Sequence, residues 1–222
     1  MTNSDISFKT DALKFGIGII ICFCLLNVVM FFWGEYLLKL LLPFYSLAID
    51  IISTELEVES ISLGMQGSTK QILVVVKNPQ QLNFGATSMP AGIPMQLSTL
   101  QGHALQHLII IYSIILAWPP MFSKNKLMLL LTSVPFLLMV ELIDIPFVLL
   151  GSGYDLIYSN LAPHLATSAP SIMFMDFLNG GGRLALSIAA AICTIASYQF
   201  FHTKSYNQLL LLMFSNAKPT KL

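Results

Sequence analysis

Charge is scarce in this chain. Only 10% of the 222 residues are charged, arginine occurs once, at Arg183, and acids and bases cancel to a net charge of zero. No basic cluster reaches the density that a phosphate backbone demands, so the sequence implies no nucleic-acid partner. Cysteine is sparse as well. Cys22, Cys24 and Cys193 all fall in apolar runs, where thiols pack as small side chains and a disulfide framework is not expected. No G-x-S-x-G, P-loop or dinucleotide-binding glycine motif is present, so the common signatures of a soluble hydrolase, NTPase or dehydrogenase are missing. The first apolar run, Phe15 to Trp33, lacks a small-residue cleavage site and exceeds a signal-peptide core, and it reads as a retained anchor.

What the chain has in excess is apolar surface. Its mean hydropathy is +0.76, far above a soluble domain, which places it among integral membrane proteins. Segment one is Phe15–Trp33, continued by Tyr36–Leu42. Pro43 is expected to kink or end that helix, and Phe44–Ser53 to form a further helix on the membrane surface. Glu35 and Lys39, four apart, are expected to pair. Trp33 and Tyr36 suit an aromatic belt. Segment two runs from Thr99 to Trp118, segment three from Leu127 to Leu150 with Pro135 and Pro146 inside, and segment four from Arg183 to Phe201. Residues 151–182, rich in Gly, Ser, Pro and Ala, read as a loop with an interfacial stretch at Ile172–Leu178. In segment four Ala185, Ala189, Cys193 and Ser197 place a small residue at every fourth position, a face on which another helix can pack closely.

Residues 54–98 have a different rhythm. Glu55-Leu56-Glu57-Val58-Glu59 alternates with the two-residue period of a half-buried strand. Gln71–Lys77 is a second strand, rich in β-branched residues, and Gln81–Phe84 a short third, before an irregular lead-in with Pro90, Gly92 and Pro94. The expected fold is therefore a membrane α-helical, four-span bundle with a small extracytoplasmic β meander. It divides into an anchor and interfacial helix (1–53), a periplasmic β subdomain (54–98) and a three-span bundle (99–222). With four spans Lys9, Lys14, Lys124, Lys126, Lys204, Lys218 and Lys221 share one side. Lysine-rich loops stay cytoplasmic, so both termini are expected inside a bacterial inner membrane.

The chemistry-bearing residues meet at one depth. At 1.5 Å rise per residue, His107 lies about 18 Å and His103 about 24 Å from the cytoplasmic end of segment two. Glu141 lies about 22 Å, Asp144 about 27 Å and Arg183 about 28 Å along theirs. His103 and His107 share a helical face, as do Glu141 and Asp144. Two imidazoles and two carboxylates at one level could bind zinc or another divalent metal, or act as an acid/base pair. HxxxH without a Glu directly after the first His is not the zincin motif, and packing or interfacial hydrogen bonding is the competing reading for both histidines. Charges in hydrocarbon are costly and usually pair, so Glu141 and Asp144 are the stronger functional candidates. A cation at a helix start opposes the helix dipole, which argues that Arg183 faces an anion, either this acidic pair or a ligand. Gly180-Gly181-Gly182 is a flexible turn or an anion-binding helix start. Neither Cys22 nor Cys193 has the depth to act as nucleophile in this group.

Gly102-His103-Ala104-Leu105-Gln106-His107 and Gly180-Gly181-Gly182-Arg183, set in this layout of spans and outer β region, resemble the small inner-membrane proteins associated with exosortases, in particular the exosortase H-associated membrane proteins. The resemblance implies an accessory role beside a membrane transpeptidase that processes C-terminally tagged envelope proteins. It does not extend to the exosortases themselves, which would need a cysteine with the arginine and histidine. The expected function is thus an accessory or assembly factor for envelope protein sorting, secretion or surface-polymer export, partnered with a larger membrane protein or enzyme. The alternative is a membrane-embedded, metal-dependent hydrolase or transferase with a periplasm-facing site. A transporter subunit is weaker, since no internal repeat is present.

Overall fold

The structure, a computed structural model, describes residues 3–84, 87–119, 125–166 and 169–215, with side chains for 11–84, 87–119, 126–166 and 169–201. Lys124, Lys218 and Lys221 lie outside the described residues, as do the side chains of Lys9, Lys204 and His202. The chain is mostly helical. Helix α1 (Asn3–Ile52) leads into strands β1 (Glu57–Gln66), β2 (Thr69–Lys77), β3 (Leu82–Phe84), β4 (Thr87–Met89) and β5 (Pro94–Leu100). Helices α2 (Gln101–Ala117), α3 (Asn125–Leu161), α4 (Pro163–Ala166) and α5 (Pro170–Phe177) follow, and a π-helical turn (Leu178–Gly182) joins α5 to α6 (Arg183–Ser215). Three helical stretches, Asp11–Ile52, Lys126–Leu161 and Pro170–Phe201, are long and apolar enough to cross a membrane, and α2 is a shorter apolar helix of 17 residues.

Several expectations change on meeting the fold. Helix α1 continues through Pro43 to Ile52, so Phe44–Ser53 is no separate surface helix. Its inward residues Tyr45 and Ile49 are fully buried, and that packing holds the helix together across the proline. Helix α3 likewise continues through both prolines and on to Leu161, so the expected loop at 151–182 is largely helical. Gly151 explains how α5 fits there: a Cβ at that position would stand 2.5 Å from Met175 Cβ and 2.8 Å from the Ser171 carbonyl oxygen. Glu35 pairs with Lys70 at 2.6 Å and not with Lys39, because the β1–β2 hairpin brings Lys70 against α1. Lys39 stands over the Tyr36 ring instead. Cys24 and Cys193 are exposed and Cys22 is half-buried, so none is a core residue.

The sheet has strand order β1-β2-β5, all antiparallel, with β3 and β4 as a separate ribbon. Gly67 and Ser68 make the two-residue hairpin turn, and Gly67 sits at φ +62°, a conformation glycine adopts without steric cost. A bulge at Glu59 resets the alternation of β1. Val58 faces inward before it, and Ile61 and Leu63 after it, where an unbroken period of two would have turned Ser60 and Ser62 to the core. Three cross-strand rows result: Val58–Val76–Met95, Ile61–Val74–Leu97 and Leu63–Ile72–Thr99. Strand β5 replaces the expected irregular lead-in, and Thr99 belongs to it.

Two apolar cores follow. The first joins Leu38, Tyr45 and Ile49 of α1 and Ile145, Leu149 and Ile157 of α3 to the sheet face. It draws on all three of the segments divided at residues 53 and 98. The second joins Leu108, Ile111 and Ile115 of α2 to Leu137 and Val140 of α3 and Ala190, Ala191 and Ile195 of α6. Lys126 closes the far end of α2 by donating to the carbonyls of Ile115, Leu116 and Trp118. A lysine there satisfies carbonyls that the helix leaves bare and meets the negative end of its dipole.

Candidate functional site

The polar side chains lie between the two cores. Glu141 and Asp144 sit one turn apart on α3, so both point to one side, inward. Two residues on, Pro146 has no N–H to offer, which leaves the Leu142 carbonyl without its helical partner beside them. His107 comes from α2. Arg183 is the first residue of α6, aimed by the bend before it. Gly181 has φ +117°, a conformation outside the reach of ordinary side chains, and it breaks the α5–α6 axis.

Asp144 is the hub. Arg183 Nε donates to its Oδ1 at 2.9 Å and its Oδ2 at 2.8 Å. His107 Nε2 donates to the same Oδ2 at 2.9 Å. On the other edge of the imidazole, Nδ1 is 2.8 Å from Ser187 Oγ, and the Ser187 hydroxyl is also 2.8 Å from the Arg183 carbonyl oxygen. One carboxylate thus ties α3 to α2 and α6. The cluster is closed: His107, Asp144 and Ser187 are 0% exposed and Arg183 5%. Removing such groups from water costs several kcal/mol per ion, and opposite charge with saturating hydrogen bonds is what offsets it.

Glu141 belongs to a second contact. Tyr45, on the stretch of α1 beyond Pro43, donates to Glu141 Oε2 at 2.7 Å, so α1 is joined to α3 as well. Two polar atoms here, Glu141 Oε1 and Arg183 Nη2, are buried without a hydrogen-bond partner. His103 is half-buried, with Nδ1 3.3 Å from Thr99 Oγ1 at the start of α2. It stays within electrostatic reach of Arg183 and Asp144 without bonding to either.

The structure therefore brings His107, Asp144 and Arg183 into contact, sets Glu141 beside them on Tyr45, and draws His103 off towards Thr99. Among the described residues no three His, Cys, Asp or Glu side chains are grouped as metal ligands would be. The donor set weighed for a divalent metal, His103, His107, Glu141 and Asp144, is split between these partners. His164 is exposed. Two members of the network had no signal of their own. Ser187 lies four residues after Arg183, on the same helical face, and that spacing could have nominated it. Tyr45 was hidden by the proline two residues before it.

Chemically the arrangement admits two descriptions. If the Ser187 proton goes to His107 Nδ1, the order Ser187–His107–Asp144 is that of an acyl-transfer relay. If it goes to the Arg183 carbonyl, the hydroxyl is held within its own helix, as buried helical serines often are. No protein-family model, curated protein or solved structure matches the chain.

Proposed function

We propose that the chain is a four-span accessory protein of a bacterial inner membrane, acting beside a larger membrane enzyme in envelope protein sorting, secretion or surface-polymer export. The carrying observation is the closure of the His107–Asp144–Arg183–Ser187 cluster. A hydroxyl and an imidazole with no exposed surface offer nothing to a substrate, while their bonds lock three helices together. That is the work of an internal clasp. The four-span count takes α2 as the additional crossing. Its 17 residues rise about 26 Å, close to the hydrocarbon thickness. In this topology both termini are cytoplasmic and the sheet is periplasmic. The resemblance of the layout and of the two short motifs to exosortase H-associated membrane proteins favours the same role.

Two outward features suit a partner. The small residues Ala185, Ala189 and Cys193 lie exposed along α6, a face for a neighbouring span. Strand β1 forms one edge of the sheet, where a partner strand could add beyond the Val58 amide, which already donates to Asp50 of α1. Mild solubilisation from native membranes is expected to bring the chain down with a larger membrane enzyme. Recovery as a stable, solitary monomer would overturn the reading.

A second reading, a membrane-embedded hydrolase or transferase opening to the periplasm, is favoured by the Ser187–His107–Asp144 order and by the idle Arg183 Nη2 and Glu141 Oε1. It requires the cluster to open. Covalent labelling of Ser187 by a serine-directed phosphonate in native membranes would support it, and so would stoichiometric metal lost in His107→Ala. The accessory reading expects neither.

A further inference from the structure

The charge of the chain is unevenly placed. Beyond Glu35 and Lys39, which cancel, its outer end carries six exposed carboxylates, Asp50, Glu55, Glu57, Glu59, Asp155 and Asp176, against two lysines, Lys70 and Lys77, a local charge of −4 on a chain whose total is zero. Both lysines are engaged, Lys70 with Glu35 at 2.6 Å and Lys77 with Glu57 at 3.9 Å. Glu55 has no ion pair among the described residues, and it lines a cleft.

That cleft, about 530 Å³, lies between the α1–β1 connection and the outer ends of α3 and α5. Tyr154 and Tyr158 form one wall as a stacked pair, ring centroids 5.9 Å apart. Both rings are in electrostatic reach of the Glu55 carboxylate, and the Tyr154 hydroxyl is near enough to share a hydrogen bond with it. Leu165, Ala169 and Pro170 also line it, and among the described residues no basic side chain does. The lining hydroxyls of Ser53 and Tyr154 are bonded to each other at 3.1 Å, and Ser53 Oγ also accepts from the Glu55 and Leu56 amides. Among the described lining residues Glu55 is the one that carries a charge, so its carboxylate sets the sign of a ligand. Aromatic rings beside a carboxylate that lacks an ion pair recognise a cation, and arginine or lysine is the usual one.

We propose that this cleft receives a lysine or arginine side chain from an extended basic segment of a protein partner, the cation seated against Tyr154 and Tyr158 and paired with Glu55. The surrounding negative field draws such a segment in, and the cleft holds it. The inference rests on the accessory reading, and names the chemistry of the partner that reading requires.

The test uses the full chain in lipid nanodiscs and a capped, fluorescent pentapeptide of alternating glycine and arginine. Saturable binding is expected. Glu55→Gln should weaken it about tenfold, and Glu55→Lys should abolish it. Glu59→Gln, which removes an equal charge outside the cleft, should change it less than twofold. Tyr158→Leu should weaken it with the charge intact. Absence of saturable binding, full binding by Glu55→Gln, or equal losses in Glu55→Gln and Glu59→Gln would overturn the cleft as the site. Peptide binding by a chain that always purifies alone would leave the cleft standing and remove the accessory role. Co-purification with an enzyme by a chain that ignores the peptide would do the reverse.

Discussion

Helices α1 and α3 each pass through two environments. In their inner halves the outward faces are Ile17, Ile20, Phe23 and Leu25 on α1 and Leu127, Met128 and Leu131 on α3, all well exposed. In their outer halves the sheet covers one side of each helix; the exposed positions of α3 turn largely polar, with Asp155, Ser159 and Asn160, whereas α1 keeps Leu40, Phe44, Leu47 and Ile51 exposed beside Asp50. The inner halves expose broad apolar surface outside the second core, whereas the outer end of α3 and the sheet beside it expose polar groups as a water-soluble domain does. Apolar exposure on that scale is stable only where the surroundings are themselves apolar. The charged cluster sits between the two regimes, where lipid gives way to a protein interior and neither supplies water to an unpaired ion.

The comparison makes that seam the most vulnerable place. Asp144→Ala leaves Arg183 and His107 buried and unpaired, and should cost roughly 3–5 kcal/mol of stability. Unfolding of the detergent-solubilised chain by heat or denaturant reads the loss. Replacing all three groups by apolar ones, as His107→Leu, Asp144→Leu and Arg183→Met, should recover much of it, since a complete apolar substitution removes the desolvation cost with the charges. An Asp144→Ala protein as stable as its parent would deny the clasp.

The second prediction compares the halves directly. Phe23 in the inner half of α1 and Leu156 in the outer half of α3 are almost equally exposed, at 45% and 46%. Phe23→Asp places a charge in hydrocarbon and should lower membrane insertion by roughly 2.5–3.5 kcal/mol. Leu156→Asp faces water beside Asp155 and should stay within about 0.5 kcal/mol of the parent. Equal effects in an insertion assay would erase the distinction between the two regimes.

The sequence carries the inner half of this picture better than the outer. Long apolar runs announce their helices because lipid permits little else. Helical rise alone set His107, Asp144 and Arg183 at overlapping depths, and in the fold they touch. What helical rise cannot supply is rotation about each axis. His103 shares a face with His107 yet bonds to Thr99, because the chain enters α2 from β5, a strand the sequence hid behind Pro94. Proline misled once more. Pro43 is expected to kink or end its helix, but α1 carries on through it, held beyond it by Tyr45 and Ile49, and the proline concealed Tyr45. Strand β1 was legible only in its first residues, because the bulge at Glu59 reverses its alternation.

A third prediction concerns the outer half alone. Gly151→Ala sets a methyl group against Met175 Cβ and the Ser171 carbonyl oxygen, neither of which can swing away as a side-chain tip does. Overpacking of this kind costs about 1–3 kcal/mol. The loss should appear as faster amide exchange in α5, with protection in α2 unchanged. Uniform loss of protection would mean that the two halves unfold as one unit.

The smallest effect is expected at the far end of α2, and it tests the inner boundary. The N-cap of α2, Leu100, offers no side-chain bond, but the chain there is already held in β5, which pairs with β2. Among the described residues no strand holds the other end, where the Trp118 N–H reaches the Ile114 and Ile115 carbonyls and Lys126 donates to those of Ile115, Leu116 and Trp118. Lys126→Met keeps the length and apolar stem but loses the donors and the charge, so the last turn should fray at a cost of about 1 kcal/mol. Lys126→Arg restores a charged donor and should recover most of that stability. Amide exchange at Leu116 and Ala117 separates this local loosening from a global one. If Lys126→Met leaves those amides as protected as before, the last turn of α2 is held by apolar packing alone, and the lysine marks only which side of the membrane it faces.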